Sequence, residues 1–174
     1  MSNLNITFPF KQYKTLIEKY NETDWREITF QNNVIIPFIK SIVNNDIDVV
    51  DVSTQYKNKE SKIHTRKGYA GEYTPDILLA RNWNYNNVNQ KNQEYIAVIE
   101  VKTPADNLDT KHTREEIEDY CLRNNVILTN CYNWRFYKKE EPNNPEVIKL
   151  NTPEQWEQLC NKIRELTEKS VNIQ

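Results

Sequence analysis

The stretch Tyr95-Ile96-Ala97-Val98-Ile99-Glu100-Val101-Lys102 constrains this chain more than any other. A short apolar run of this kind, bounded by polar residues, suits a buried strand. Its end breaks the pattern, because Glu100 and Lys102 are two residues apart and share one face, while Val101 between them points the other way. Charged groups there must find partners or stay wet. A second apolar run, Asp76 to Ala80, starts with a carboxylate. If the two runs pair as a hairpin, the start of the first lies beside the end of the second, and Asp76 meets Glu100 and Lys102.

The remaining pattern supplies more strands and the helices to cover them. Strands are predicted over Ile47–Val52, Val126–Thr129, Trp134–Tyr137 and Val147–Leu150. Helices are predicted over Phe10–Tyr20, from Thr23 or Asp24 through Ile42, over Thr113–Asn124 and over Thr152–Lys169. Arg26 and Glu27 fall in the first turns of the second helix, and Phe30, Val34, Ile35, Phe38 and Ile42 form its buried face. Pro37 lies within that pattern and predicts a kink or a break. The last helix opens with Thr152 as N-cap and Pro153 at the first helical position. Strands interspersed with helices imply an α/β or α+β sheet covered by helices. The 174 residues suit one domain, with a core over about 22–150 and a C-terminal helix at 152–169. The two glycines, Gly68 and Gly71, fall together just ahead of Asp76, where a tight turn or a close approach is expected. Asn82–Asn92 reads as a loop.

Composition removes several classes. With 23 basic and 25 acidic residues the net charge is -2, unlike a protein that coats nucleic acid or a membrane surface. No run is long and apolar enough to span a bilayer, and the N-terminus does not read as a secretory signal. A cytoplasmic protein is expected. Cys121, Cys131 and Cys160 form neither a disulfide framework nor a zinc pattern, and His64 and His112 give no zinc spacing. There is no Walker loop, Gly-rich nucleotide fingerprint or Ser/His/Asp arrangement.

The carboxylates point to chemistry. Asp76 and Glu100 repel each other unless a cation holds them, and oxygen donors suit Mg²⁺, bound through carboxylates, water and substrate phosphate. Such an ion neutralises phosphate charge and lowers the pKa of bound water. Lys102 would orient or help deprotonate that water and offset charge in the transition state. The reaction class is phosphodiester hydrolysis, with Mg²⁺ or Mn²⁺ as cofactor.

Pro75-Asp76 followed by Glu100-Val101-Lys102 resembles the PD-(D/E)XK nuclease signature. The flanks are similar to the N-terminal nuclease domain of type I restriction enzyme R subunits and related stand-alone proteins. Glu27 to Pro37 resembles that domain's first helix, and Val126–Asn130 with Trp134–Tyr137 resembles its strand-turn-strand. The likeness covers roughly Glu27 to Tyr137. It implies a restriction-endonuclease-like α/β fold, a central mixed sheet of about four or five strands flanked by helices. It further implies that Glu27 is an outer metal or water ligand and that the Val101 backbone carbonyl touches the ion. The family's Gln-x-x-x-Tyr helix corresponds here to Glu116-Ile-Glu-Asp-Tyr120, with Glu in place of Gln. The implied function is a DNA-directed nuclease of restriction or antiviral defence type. No motor motif is present, so the nuclease acts alone, as an oligomer or with a separate motor or recognition subunit. One site per chain favours a homodimer for cutting both strands.

Each feature also has an ordinary explanation. Pro75-Asp76 is common turn chemistry, Glu100 and Lys102 could pair on a solvated face, and Glu27 suits a helix N-terminus. Glu116 and Tyr120 could be a helix-surface pair. The two strand segments and their flanks together favour the site reading. The segment Lys57–Lys67 contains Lys62, His64, Arg66 and Lys67, with Glu60 its only acid. Beside a nuclease site such a segment would contact phosphates; otherwise it is a solvated loop. The competing function is a non-catalytic nucleic-acid-binding, assembly or regulatory subunit that keeps the fold.

Overall fold

The computed structural model describes residues 8–53, 71–85 and 92–168. Lys62, His64, Arg66, Lys67 and Gly68 lie outside the described residues, as does the middle of the Asn82–Asn92 stretch.

β2 (Ile77–Arg81) and β3 (Glu94–Val101) form the centre of an α/β fold. They pair antiparallel, with Ile77 opposite Ile99 and Leu78 opposite Val98. β1 (Asp48–Asp51) flanks β2, and β4 (Asn125–Thr129), β5 (Asn133–Tyr137) and β6 (Glu146–Lys149) continue beyond β3. The result is an open six-stranded sheet in the order β1-β2-β3-β4-β5-β6. The β3–β4 pair is parallel, and the other four pairs are antiparallel. Parallel neighbours need a crossover connection, and a helix over Lys111–Cys121 lies within it. All six strand segments expected from the sequence are present, more than the four or five implied by the family resemblance.

Four helices cover the sheet among the described residues. The first is α1 (Phe10–Thr23). The second is a continuous rod built from α2 (Glu27–Phe30), a π-helical turn (Gln31–Ile35) and α3 (Ile36–Ile42). The third is the crossover helix, α4 (Lys111–Cys121), and the fourth is α5 (Pro153–Thr167). Thr23 ends α1 and does not cap the rod, which starts from Arg26 in an extended conformation. Pro37 does not break the rod. The Ile36 N–H bonds to the Gln31 carbonyl five residues back. This widened turn stands directly ahead of the proline, where a regular helix would press the ring against a carbonyl. The α5 cap is as expected: the Thr152 side chain accepts from the Gln155 N–H and the Gln155 side chain accepts from the Thr152 N–H.

The apolar runs are continuous because both faces of the central strands are covered. Ile77, Leu79, Ala97, Ile99, Val101 and Ile127 pack towards α1, the rod and α5. Phe38 anchors that side, with its ring centroid 4.5 Å from Trp156, 5.4 Å from Tyr13 and 6.0 Å from Trp134. Losing so buried a ring costs about 3–5 kcal/mol. Leu78, Val98, Val126 and Leu128 face the other way, onto Ile117, Tyr120 and Cys121 of α4. All three cysteines are free and buried. Burial pushes the Cys121 and Cys160 thiols up to about 12 and about 11, so they are poor nucleophiles. No helix among the described residues is long and apolar enough to cross a membrane.

Gly71 satisfies a close approach. A Cβ there would fall 2.4 Å from Asp119 Oδ1 and 2.5 Å from Arg123 Nη1. The Asp119 carboxylate accepts from the backbone N–H groups of Glu72 and Tyr73, at 3.2 and 3.0 Å. That contact ties the segment entering Asp76 to α4.

Candidate metal centre

The hairpin register brings Asp76 beside the end of β3. The Asp76 N–H donates to the Ile99 carbonyl at 3.1 Å, and the Asp76 carbonyl accepts from Val52 N–H at 2.9 Å. Its carboxylate oxygen Oδ2 accepts the Val101 N–H at 2.8 Å. Asp76 is thus fixed to β3 through backbone and side chain alike. Val101 packs its side chain into the core on the far face.

Glu100 and Lys102 share one face, as their spacing requires. Lys102 Nζ donates to Glu100 Oε1 at 2.8 Å and to Glu116 Oε2 at 3.2 Å. The Tyr120 hydroxyl donates to Glu100 Oε2 at 3.0 Å. Glu116 and Tyr120 are one turn apart on α4 and reach the same pair of strand residues. The Glu at the position where the family resemblance expects Gln therefore contacts the lysine. Glu27 starts the rod and is half-buried. One oxygen each from Glu27, Asp76 and Glu100 lie within 4.8 Å of one another.

This cluster is rich in carboxylates and largely buried. Asp76 is 8 % exposed, Glu100 4 % and Glu116 8 %. Among the described residues four carboxylates, counting Glu27, surround one ammonium. Burial pushes Asp76 up to about 7 against the Val101 N–H, with Glu27 adding repulsion. Burial and then Asp76 hold Glu100 well above the usual carboxylate range. Glu27 is raised by burial too, which Lys102 partly offsets. For Lys102 burial favours the neutral amine, but Glu100, Glu116 and Glu27 outweigh it and the ammonium is held firmly. Burial and the nearby Glu100 likewise raise Tyr120, so its hydroxyl keeps its proton.

The donor set fits a hard divalent cation. It consists of carboxylate oxygens without thiolate or imidazole in the triad, the set that Mg²⁺ or Mn²⁺ takes. A carboxylate has about four acceptor directions, so Glu100 can bind an ion while keeping Lys102 and Tyr120. Glu27, Asp76 and Glu100 are the residues that could hold it.

Three neighbours did not stand out in the sequence. Gln31, four residues after Glu27, reaches from Nε2 towards the Asp76 carbonyl and Ser53 Oγ, both at 3.5 Å. His112, four before Glu116, places Nε2 3.2 Å from Glu116 Oε1, and Tyr73 packs edge-on against its ring. Their helical spacing from Glu27 and Glu116 was the available signal. Trp25, two residues before Glu27, is 72 % exposed, and nothing in the apolar pattern marked it.

No family model, curated protein or solved structure matches this chain.

Proposed function

We propose that this protein is a Mg²⁺- or Mn²⁺-dependent nuclease acting on DNA. The observation that carries this reading is the convergence of Glu27, Asp76 and Glu100 within 4.8 Å, with Lys102 bonded to Glu100. These residues come from three separate segments, and two of them are the acidic positions of the PD-(D/E)XK pattern. An ion held there would neutralise phosphate charge and acidify its bound water.

The residues have distinct tasks in this reading. Asp76 and Glu100 hold the ion, the Val101 backbone carbonyl is a further ligand, and Glu27 binds the ion or a water beside it. The Val101 N–H fixes the Asp76 carboxylate, and the Tyr120 hydroxyl fixes Glu100. Lys102 remains protonated between Glu100 and Glu116. It is placed to orient the attacking water or help deprotonate it, and to offset developing negative charge. Glu116 holds the ammonium in place, with His112 at its other oxygen.

The restriction or defence setting, the separate motor or recognition subunit and the homodimer follow from the same resemblance. The phosphate contacts of Lys62, His64, Arg66 and Lys67 follow instead from the basic character of their segment and its place in the sequence ahead of Asp76. The test is incubation with supercoiled plasmid, linear duplex, single-stranded DNA and RNA, each with Mg²⁺, Mn²⁺ or EDTA. Metal-dependent cleavage of DNA that is lost in Asp76→Ala and Lys102→Ala is the expected result. Absence of cleavage, together with no thermal stabilisation by Mn²⁺, would favour a non-catalytic binding or assembly subunit.

A further inference from the structure

Trp25 has the highest fractional exposure of the large apolar side chains that stand exposed among the described residues, at 72 %. Exposed aromatic side chains are unremarkable when scattered singly, but this one is placed and braced. It sits in the turn between α1 and α2, two residues before Glu27. Asp24 stiffens that turn: its carboxylate accepts from Arg26 Nε and Nη2 at 2.8 and 2.7 Å and from the Thr29 hydroxyl at 2.8 Å. The Asp24 N–H also bonds to the Tyr20 carbonyl at 2.9 Å.

Trp25 forms one wall of a groove with Asn21, Thr103, Pro104 and Ala105. Thr103 follows Lys102 directly and Trp25 stands two residues before Glu27, so each side of the groove is joined to the carboxylate cluster by a short step of chain. Among the described residues none that lines the groove is charged. A phosphate finds no cation among these residues, whereas the flat uncharged face of a nucleobase suits an indole and a proline, with Asn21 and Thr103 supplying polar edges. Stacking on an aromatic side chain is available only to a base that has left its own stack.

We infer that Trp25 and this groove seat an unstacked nucleobase flanking the scissile phosphate, so that the preferred substrate is single-stranded or frayed at that position. The inference rests on the nuclease reading for the location of the phosphate. Trp25 is a specificity residue in this arrangement, since it selects the strand and takes no part in the reaction.

The test uses the full chain with Ca²⁺ in place of Mg²⁺, and reads tryptophan fluorescence and the anisotropy of a labelled oligothymidylate. The same measurement is made with a blunt duplex. Oligothymidylate should quench the wild-type protein, and Trp25→Ala should weaken single-strand binding about tenfold, Trp25→Phe and duplex binding changing less than about threefold. Equal single-strand binding by the wild type and Trp25→Ala, or no binding by the wild type, overturns the inference. Cleavage with Mg²⁺ separates it from the parent reading. Trp25-dependent binding without cleavage of any substrate and without thermal stabilisation by Mn²⁺ supports the base seat and overturns the hydrolase. Cleavage with binding indifferent to Trp25 does the reverse.

Discussion

The β2–β3 hairpin carries a cation at each end, Arg81 buried and Lys102 half-buried, and the two ends are built differently. At one end, Arg81 bonds Asp46 Oδ2 and Glu94 Oε2, each at 2.9 Å, and the Thr167 carbonyl. Its two acids have side chains about half exposed, at 49 and 56 %. Water therefore solvates the excess negative charge, and the fork geometry of the guanidinium is satisfied. At the other end, Lys102 meets Glu100 and Glu116, with Asp76 and Glu27 beside them. Three of these four acids are less than a tenth exposed. The Arg81 end is a closed tie that joins β2, β3 and the end of α5. At the Lys102 end the described residues place more carboxylates than cations, and burial raises Asp76 and Glu100 so that they hold their protons to higher pH. A buried ion pair by itself says little about function; a buried excess of carboxylates is what a bound cation would relieve.

The largest difference between the two ends should be in activity. Asp76→Asn and Lys102→Ala are expected to lower metal-dependent cleavage at least about 100-fold, while Arg81→Met changes the rate per folded molecule less than about threefold. A single-turnover assay at saturating metal makes the comparison. Similar losses at both ends would place the chemistry elsewhere.

The ends should also respond differently to pH. Asp76 and Glu100 have folded-state pKa values raised above those of the unfolded chain. The folded state therefore keeps protons that the unfolded chain has released. The associated stability is fully present below the ordinary carboxylate range and is lost as pH rises through about 7 for Asp76. Chelator-treated protein should lose on the order of 2–4 kcal/mol between about pH 5 and about pH 8, seen as a falling melting temperature. Asp76→Asn should flatten that slope, and saturating Mn²⁺ should restore stability at the higher pH. A slope unchanged in the variant would mean that the cluster is better solvated than its burial indicates.

Arg81→Met should destabilise the fold by about 2 kcal/mol in denaturant melts, less than for a fully buried pair because its partners are half exposed. Glu100→Gln, by contrast, removes a surplus charge and should leave the metal-free protein at least as stable near pH 8. If Glu100→Gln were the more destabilising of the two, the surplus would not exist.

The sequence carried these two ends unequally. Period-2 spacing put Glu100 and Lys102 on one face, and the apolar runs put Asp76 beside them, because hairpin pairing fixes register. All six strands were legible for the same reason. Glu116 joined the cluster less visibly: its likeness to the Gln-x-x-x-Tyr helix pointed there with Glu in place of Gln, while its spacing to Tyr120 alone also fits a helix-surface pair. The Arg81 tie was not legible, since Asp46, Glu94 and the Thr167 carbonyl come from separate segments with no spacing in common. Pro37 signalled a disturbance in the rod but not its form, a π turn that lets the helix continue. Trp25 was missed because an exposed aromatic side chain leaves no apolar period.

The smallest expected effect concerns how Asp76 is positioned. Gly71→Ala forces a Cβ against the Asp119 carboxylate that holds Glu72 and Tyr73. It should cost about 1 kcal/mol, with a detectable drop in metal affinity. No change in affinity would show that the Asp119 contact steadies the fold without aligning Asp76.

The most direct measurement is anomalous diffraction from crystals of the wild-type protein soaked in Mn²⁺. The account predicts one strong peak at about 2.0–2.4 Å from carboxylate oxygens of Asp76 and Glu100, with Glu27 beside it and Lys102 still on Glu100. A peak at another site, or none with these carboxylates accessible to solvent, would contradict it.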